Sequence, residues 1–260
     1  MLKQYGISPD IIAFSTQRTG GVSIGNYASF NANHYCGDDP QHVAENRAIL
    51  CRELGIPEAN LIVPHQTHET NVLEITPAFL QLPAEERQLR MEGIDAVYTL
   101  AKGICVCVST ADCIPVLLYQ EQTGLVAAIH AGWRGTCARI VEKTLQHLKQ
   151  AHGIDPAGMK AVIGPGISQD AFEIGDEVYE AFRKEGFDMA RIARRYPAQV
   201  GEKWHIDLWG CNRLQLLAKG VRPENILLSG ICTYGNPDAF FSARRLGIKS
   251  GRILNGILRK

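Results

Sequence analysis

The chain has 260 residues, 45% hydrophobic and 21% charged, enough to bury a substantial core in one large domain or two small ones. Lys plus Arg and Asp plus Glu both number 27, so the basic excess of a protein held on nucleic acid by phosphate contacts is missing. No run approaches the roughly 18 consecutive apolar residues a membrane helix needs, and residues 1–12 lack the pattern of a secretory signal.

Eight cysteines are present without a CxxC pair, and Cys105, Cys107 and Cys137 sit inside apolar or helical segments. Most are expected as small, reduced core residues of a cytoplasmic protein. Arg191, Arg194 and Arg195 form the densest basic cluster, expected as a solvated face.

In chain order, Asp39-Pro40 predicts an N-cap with proline at the first helical position, and Gly55 ends that helix. Val43, Leu50 and Leu54 give it one buried stripe. Short apolar strands follow over 61–63 and 72–75. The polar span from Thr76 to Gly93, with Pro77 and Pro83, is expected as a surface excursion. Strands are predicted over 96–99, 104–109, 116–119 and 125–130, then a helix over 136–152, with Cys137, Val141, Leu145 and Leu148 at alternating spacings of four and three. A strand over 160–163, helices over 176–184 and from Asp207 to before Gly220, and a strand over 226–229 complete the pattern. Residues 104–109 and 125–130 are apolar at every alternating position, as strands covered on both faces are. With no repeat or linker, the expectation is one α/β domain over 1–260, and successive strands between Ala96 and His130 imply a mixed sheet.

Chemistry concentrates between Asp95 and Gly135. One buried strand runs into Thr110-Ala111-Asp112-Cys113, another ends in His130 before Ala131-Gly132-Trp133-Arg134-Gly135, and PHQTHETNV places His65 and His68 upstream. Strand ends feeding loops are where α/β proteins present reactive groups. His68, Cys113 and His130 match the inventory of a zinc site with an open fourth position. The spacing leaves two other readings open: a Cys113 nucleophile with His130 as base, or a core thiol and a hydrogen-bonded strand-end histidine. Gly132 and Gly135, with Arg134 nearby, suit either a backbone anion site or an ordinary turn. Arg18-Thr19-Gly20-Gly21 suits either ligand approach or a hairpin turn.

At these residues the chain resembles the laccase-domain-containing family, whose bacterial members have been called polyphenol oxidases, peptidoglycan editing factors and purine nucleoside phosphorylases. The resemblance rests on RTGGVS (18–23), GDD (37–39), ENR (45–47), QTH (66–68), DAVYT (95–99), TADCIPV (110–116), HAGWRG (130–135), IGPGI (163–167), CT (232–233), FFSARR (240–245) and GR (251–252). It implies an α/β/β/α sandwich, with His68, Cys113 and His130 as zinc ligands. Copper is a further possibility in the test tube. It also implies purine nucleosides and phosphate as substrates, with deamination of adenosine in some cases. In that chemistry Arg18, Arg134, Arg244 and Arg245 are the candidate phosphate partners, because guanidinium forks match phosphate oxygens. Asp112 is the candidate proton shuttle, or else the acceptor that orients a ligand histidine. Two departures stand out. FSTQRTGGVS carries one residue more than the family pattern ahead of Arg18, and Glu69 replaces a common glycine after His68, which narrows the approach to the metal.

Overall fold

The computed structural model describes residues 1–199 and 201–260. Its two larger sheets are both mixed. One has five strands in the order Leu2–Tyr5, Ile11–Thr16, Ile253–Arg259, Cys105–Thr110, Leu61–Ile62. The other has six, in the order Ile226–Leu228, Met159–Ile163, Ile114–Gln120, Leu125–Ala131, Ala96–Thr99, Val72–Glu74. Three pairs are parallel, among them Leu61–Ile62 with Cys105–Thr110, and the rest of both sheets is antiparallel. A small three-stranded sheet, Glu173–Ile174, Glu202–Ile206 and Ala193–Pro197, lies apart from them.

Side-chain alternation explains the layers. Along Cys105–Thr110, Val106 and Val108 face the six-stranded sheet and meet Val97, Leu117, Val126 and Ala128 in one buried cluster. Cys105 and Cys107 face the other way, onto Leu50 and Leu54 of the helix Pro40–Leu54. On the far side of the six-stranded sheet, Val116, Leu118, Ala127 and Ile129 pack on Val141, Leu145 and Leu148 of the helix Ile140–His152. Helix, sheet, sheet, helix is therefore the layer order, the α/β/β/α sandwich that the family resemblance implies. The double-sided burial of Cys105–Thr110 and Leu125–Ala131 is why these runs contain no polar alternation.

The helix Pro40–Leu54 starts where expected: the Asp39 side chain accepts from Gln41 N–H, and Gly55 closes it in the left-handed region at φ 67°. The helix expected over 136–152 is instead two, Trp133–Cys137 and Ile140–His152. Arg139 breaks it at φ 61°, tied by its guanidinium to Glu142 and to the Glu185 carbonyl and stacked over Phe187. The excursion over 76–93 holds two short helices, Pro77–Leu80 and Ala84–Arg90. Three strands of the five-stranded sheet, Leu2–Tyr5, Ile11–Thr16 and Ile253–Arg259, lie outside the elements the sequence predicts: the first two pair locally, and the third pairs with Ile11–Thr16 from the other end of the chain. All eight cysteines are free, five of them buried. Among the described residues, no helix is long and apolar enough to cross a membrane.

Candidate metal centre

The chain crosses from one large sheet to the other between Thr110, which ends a strand of the five-stranded sheet, and Ile114, which begins one of the six-stranded sheet. Cys113 lies on that crossover. His130 comes from the neighbouring strand, where Pro115 is its register partner, and alternation puts it on the same face as Val126 and Ala128, toward the interior between the sheets. His68 arrives from the loop before Val72–Glu74, with φ at 67°. Their donor atoms all lie within 4.8 Å of one another. The His68 and His130 rings meet edge to face with centroids 4.8 Å apart, and Cys113 Sγ stands 3.9 Å from His68 Nε2.

The residue that organises this group is Asp95, which opens the DAVYT motif and to which sequence pattern alone assigns no role. Asp95 precedes the strand Ala96–Thr99, whose antiparallel pairing sets Ala96 against Ile129, so Asp95 falls beside His130. His130 N–H donates to the Asp95 carbonyl at 2.8 Å, and the buried Asp95 carboxylate bonds His130 Nδ1 at 2.7 Å. The same carboxylate accepts from the backbone N–H groups of Thr67, His68 and Glu69 at 3.2, 3.1 and 2.8 Å. It thereby holds His68 in a left-handed conformation uncommon for a non-glycine residue. Burial raises the Asp95 pKa, but the His130 bond and charge and the amide donors outweigh it, and the carboxyl is held below its ordinary value.

Burial likewise opposes charge on Cys113 and His130, and their mutual attraction overrides it. The thiol, facing His130 and His68, comes down to about 6, and the imidazole, facing Cys113 and Asp95, goes up to about 9. A sulfur so easily ionised and two imidazoles, one fixed through its second nitrogen, are a donor set fit to hold a metal ion. Gly132 supplies independent evidence of fit. A Cβ there would come 2.8 Å from His68 Cδ2 and 3.0 Å from Cys113 Sγ, so only glycine lets the three donors close together.

The centre opens into a cleft of about 270 Å³. Ser109 and Gln66 hold one part of its lining: Ser109 N–H donates to Gln66 Oε1 at 2.7 Å and Gln66 Nε2 to the Ser109 carbonyl at 2.9 Å. Asn33 Nδ2 donates to Ser109 Oγ at 2.5 Å. Also lining the cleft, the Tyr35 ring stacks on His65 at 4.3 Å, and His65 Nδ1 bonds Glu92 at 2.7 Å.

Other residues singled out from sequence sit differently. The post of acceptor to a ligand histidine, offered to Asp112, belongs to Asp95. Asp112 has φ 87° and its carboxylate accepts from Thr233 Oγ1 at 2.7 Å and Arg244 N–H at 2.6 Å, tying its own turn to the Thr233 loop and to the short helix Ala243–Leu246. Arg18 donates to the carbonyls of Ala28 and Pro237 at 3.0 and 2.7 Å and stacks over Phe241. Arg244 reaches the Glu173 carbonyl, Arg245 the Tyr234 carbonyl, and Arg134 lies over its neighbour Trp133. All four guanidinium-bearing residues lie outside the cleft lining, whereas Arg252 is part of it. Glu69 is not among the residues lining the cleft, and its carboxylate accepts from Asn71 Nδ2 at 2.9 Å.

A family profile described as "Multi-copper polyphenol oxidoreductase laccase" matches residues 12–260. A protein of Bacteroides thetaiotaomicron named purine nucleoside phosphorylase is 52% identical over 96% of this chain and 92% of its own length. A protein from an unknown prokaryotic organism, named adenosine deaminase RL5, is 43% identical over 95% of this chain and 94% of its own. Among solved structures, YlmD from Geobacillus stearothermophilus superposes with a TM-score of 0.88 at 30% identity, covering 98% of this chain and 94% of that one. With the profile matched almost from end to end, the chain belongs to this laccase-like family.

Proposed function

We propose that the chain is a zinc enzyme acting on purine nucleosides. It cleaves adenosine, inosine or guanosine with phosphate to free base and ribose 1-phosphate, and deaminates adenosine as a second reaction. The observation that carries this reading is the convergence of His68, Cys113 and His130 around Gly132 at the base of a cleft. The names of the relatives supply the substrate class.

His68, Cys113 and His130 would hold the zinc ion, which would supply Lewis acidity in the cleft. Asp95 keeps the proton on His130 Nδ1, so Nε2 stays free as a donor atom. Tyr35, stacked on His65, offers an aromatic surface beside the centre where a purine ring can lie. Arg134, two residues beyond Gly132, and Arg244 and Arg245, next to the cleft-lining Ala243, are the proposed phosphate partners. Arg18 and Asp112 act by positioning, the first through two carbonyls and the second through Thr233 and Arg244.

Multi-copper oxidation fits less well. Among the described residues one group of three or more His, Cys, Asp or Glu donors is close enough to hold a metal ion, and multi-copper chemistry needs several such groups. Copper binding in the test tube remains compatible, since copper takes such ligands more tightly than zinc.

The test is phosphate-dependent release of base from adenosine and inosine, followed by chromatography on zinc-quantified protein. Base plus ribose 1-phosphate from the wild type, and neither from a His68→Ala, Cys113→Ala double variant, is the expected result. Turnover that survives complete removal of metal would instead support a Cys113 nucleophile with His130 as base, a hydrolase of cell-wall precursors being one such enzyme. No turnover by zinc-loaded protein overturns the nucleoside reading.

A further inference from the structure

A second, larger cleft of about 570 Å³ lies across Tyr35 from the metal centre and shares only that residue with the first. It opens at the edge of the five-stranded sheet, where the two-residue strand Leu61–Ile62 is outermost. Its floor is apolar: Leu61, Ile62, Val63 and Phe79 are buried, and Met91 is half-buried beside them. Its walls are the helices Pro40–Leu54 and Ala84–Arg90, so the polar excursion over 76–93 has a structural purpose. The volume lies within the range of small-molecule sites, roughly 300–1,000 Å³.

The polar groups in this cleft are few and mostly cationic. Arg47 donates to the Leu61 carbonyl at 3.1 Å and to the Ala32 carbonyl at a long 3.5 Å, which leaves much of its five-donor guanidinium unspent. Arg87 contributes a second guanidinium, and its Nε–H is buried without a hydrogen-bond acceptor among the described residues. A guanidinium with few acceptors around it takes an anion as its best partner. Glu58 supplies one opposing carboxylate. His34 stays neutral at pH 7, because burial and the nearby Arg47 charge bring its pKa down to about 4. Two guanidiniums against one carboxylate leave one uncompensated positive charge above an apolar floor.

We infer that this cleft is a second ligand site, for a carboxylate carried on an apolar body. The carboxylate takes donors of the Arg87 and Arg47 guanidiniums, both of which belong to residues lining the cleft, and the apolar body covers Leu61, Val63, Phe79 and Met91. The charge balance selects a monoanion over a phosphate ester, whose second negative charge would lie against Glu58. The site is independent of the metal and of any chemistry at His68, Cys113 and His130.

Titration calorimetry of the full, zinc-quantified protein tests this with three probes that share one ring system: 2-naphthoate, 2-naphthyl phosphate and 2-naphthylmethanol. The expected result is one 2-naphthoate per chain, bound more tightly than either of the others. Arg87→Gln, a substitution on a surface helix, weakens 2-naphthoate by about tenfold, the size of one charge-assisted hydrogen bond. Glu58→Gln, which leaves two positive charges, shifts the preference toward 2-naphthyl phosphate. Equal binding of the alcohol would reduce the cleft to an apolar groove and overturn the proposal. So would 2-naphthoate binding unchanged by Arg87→Gln but lost in Cys113→Ala, which would place the ring in the metal cleft. Absence of binding at millimolar probe overturns it outright.

Discussion

Asp95 and His130 are joined twice, once through the backbone, where His130 N–H donates to the Asp95 carbonyl at 2.8 Å, and once through side chains at 2.7 Å. The two contacts have different origins. The first belongs to the antiparallel pairing of their strands, and the second exists because that pairing brings an acidic side chain beside the imidazole inside a buried space. Because the same carboxylate also receives three amides of the His68 loop, one residue sets the position of two of the three donors.

Replacing Asp95 with Asn should therefore weaken the centre more than any surface change nearby. Loss of such an outer acceptor typically costs about 10- to 100-fold in metal affinity. Competition with a chromophoric zinc chelator measures it, and an affinity within threefold of wild type would count against the assigned role.

Gly132→Ala separates the site from the fold. The backbone at Gly132 has φ −63°, which alanine adopts without strain, so circular dichroism and thermal unfolding should change little. The added methyl would press on His68 and Cys113 at 2.8 and 3.0 Å, and zinc affinity should fall at least tenfold. Retained affinity would mean the three donors need not approach as closely as they do here.

Metal-free protein should show an ionised cysteine at neutral pH. The Cys113 thiol, down from 9.0 to about 6, adds stability that is complete above pH 9 and is lost as pH falls to about 6. His130, up from 6.5 to about 9, adds stability that is complete below pH 6.5 and is lost as pH rises to about 9. Their opposing slopes leave stability nearly level across that window. Ultraviolet absorbance of the thiolate should rise with a midpoint near 6, and in His130→Asn it should move above the ordinary thiol value, because burial remains and the cation is gone.

Asp112→Asn exchanges a carboxylate oxygen for an amide nitrogen against either Thr233 or Arg244 N–H. A positioning role predicts that phosphorolysis and deamination fall together, by about tenfold, with zinc content unchanged. Selective loss of deamination would restore Asp112 as a proton shuttle.

Local pattern was enough for most elements of the core. Buried strands such as Cys105–Thr110 and capped helices such as Pro40–Leu54 are set by residues close in sequence, through alternation, end-capping and the conformations open to glycine. The motifs around His68, Cys113 and His130 also marked the right neighbourhood. What lay beyond reach depended on long-range pairing. Arg18 donates to the carbonyl of Pro237, 219 positions away, and the acid that bonds His130 is Asp95, not the Asp112 that adjoins a ligand in sequence. Strand register decides which acidic group faces His130, and register belongs to the pairing of two strands that sets Asp95 beside a residue 35 positions away. The pairing of Ile253–Arg259 with Ile11–Thr16, and the cleft beneath Arg47 and Arg87, exist for the same reason: their energies come from surfaces that meet only in the folded chain.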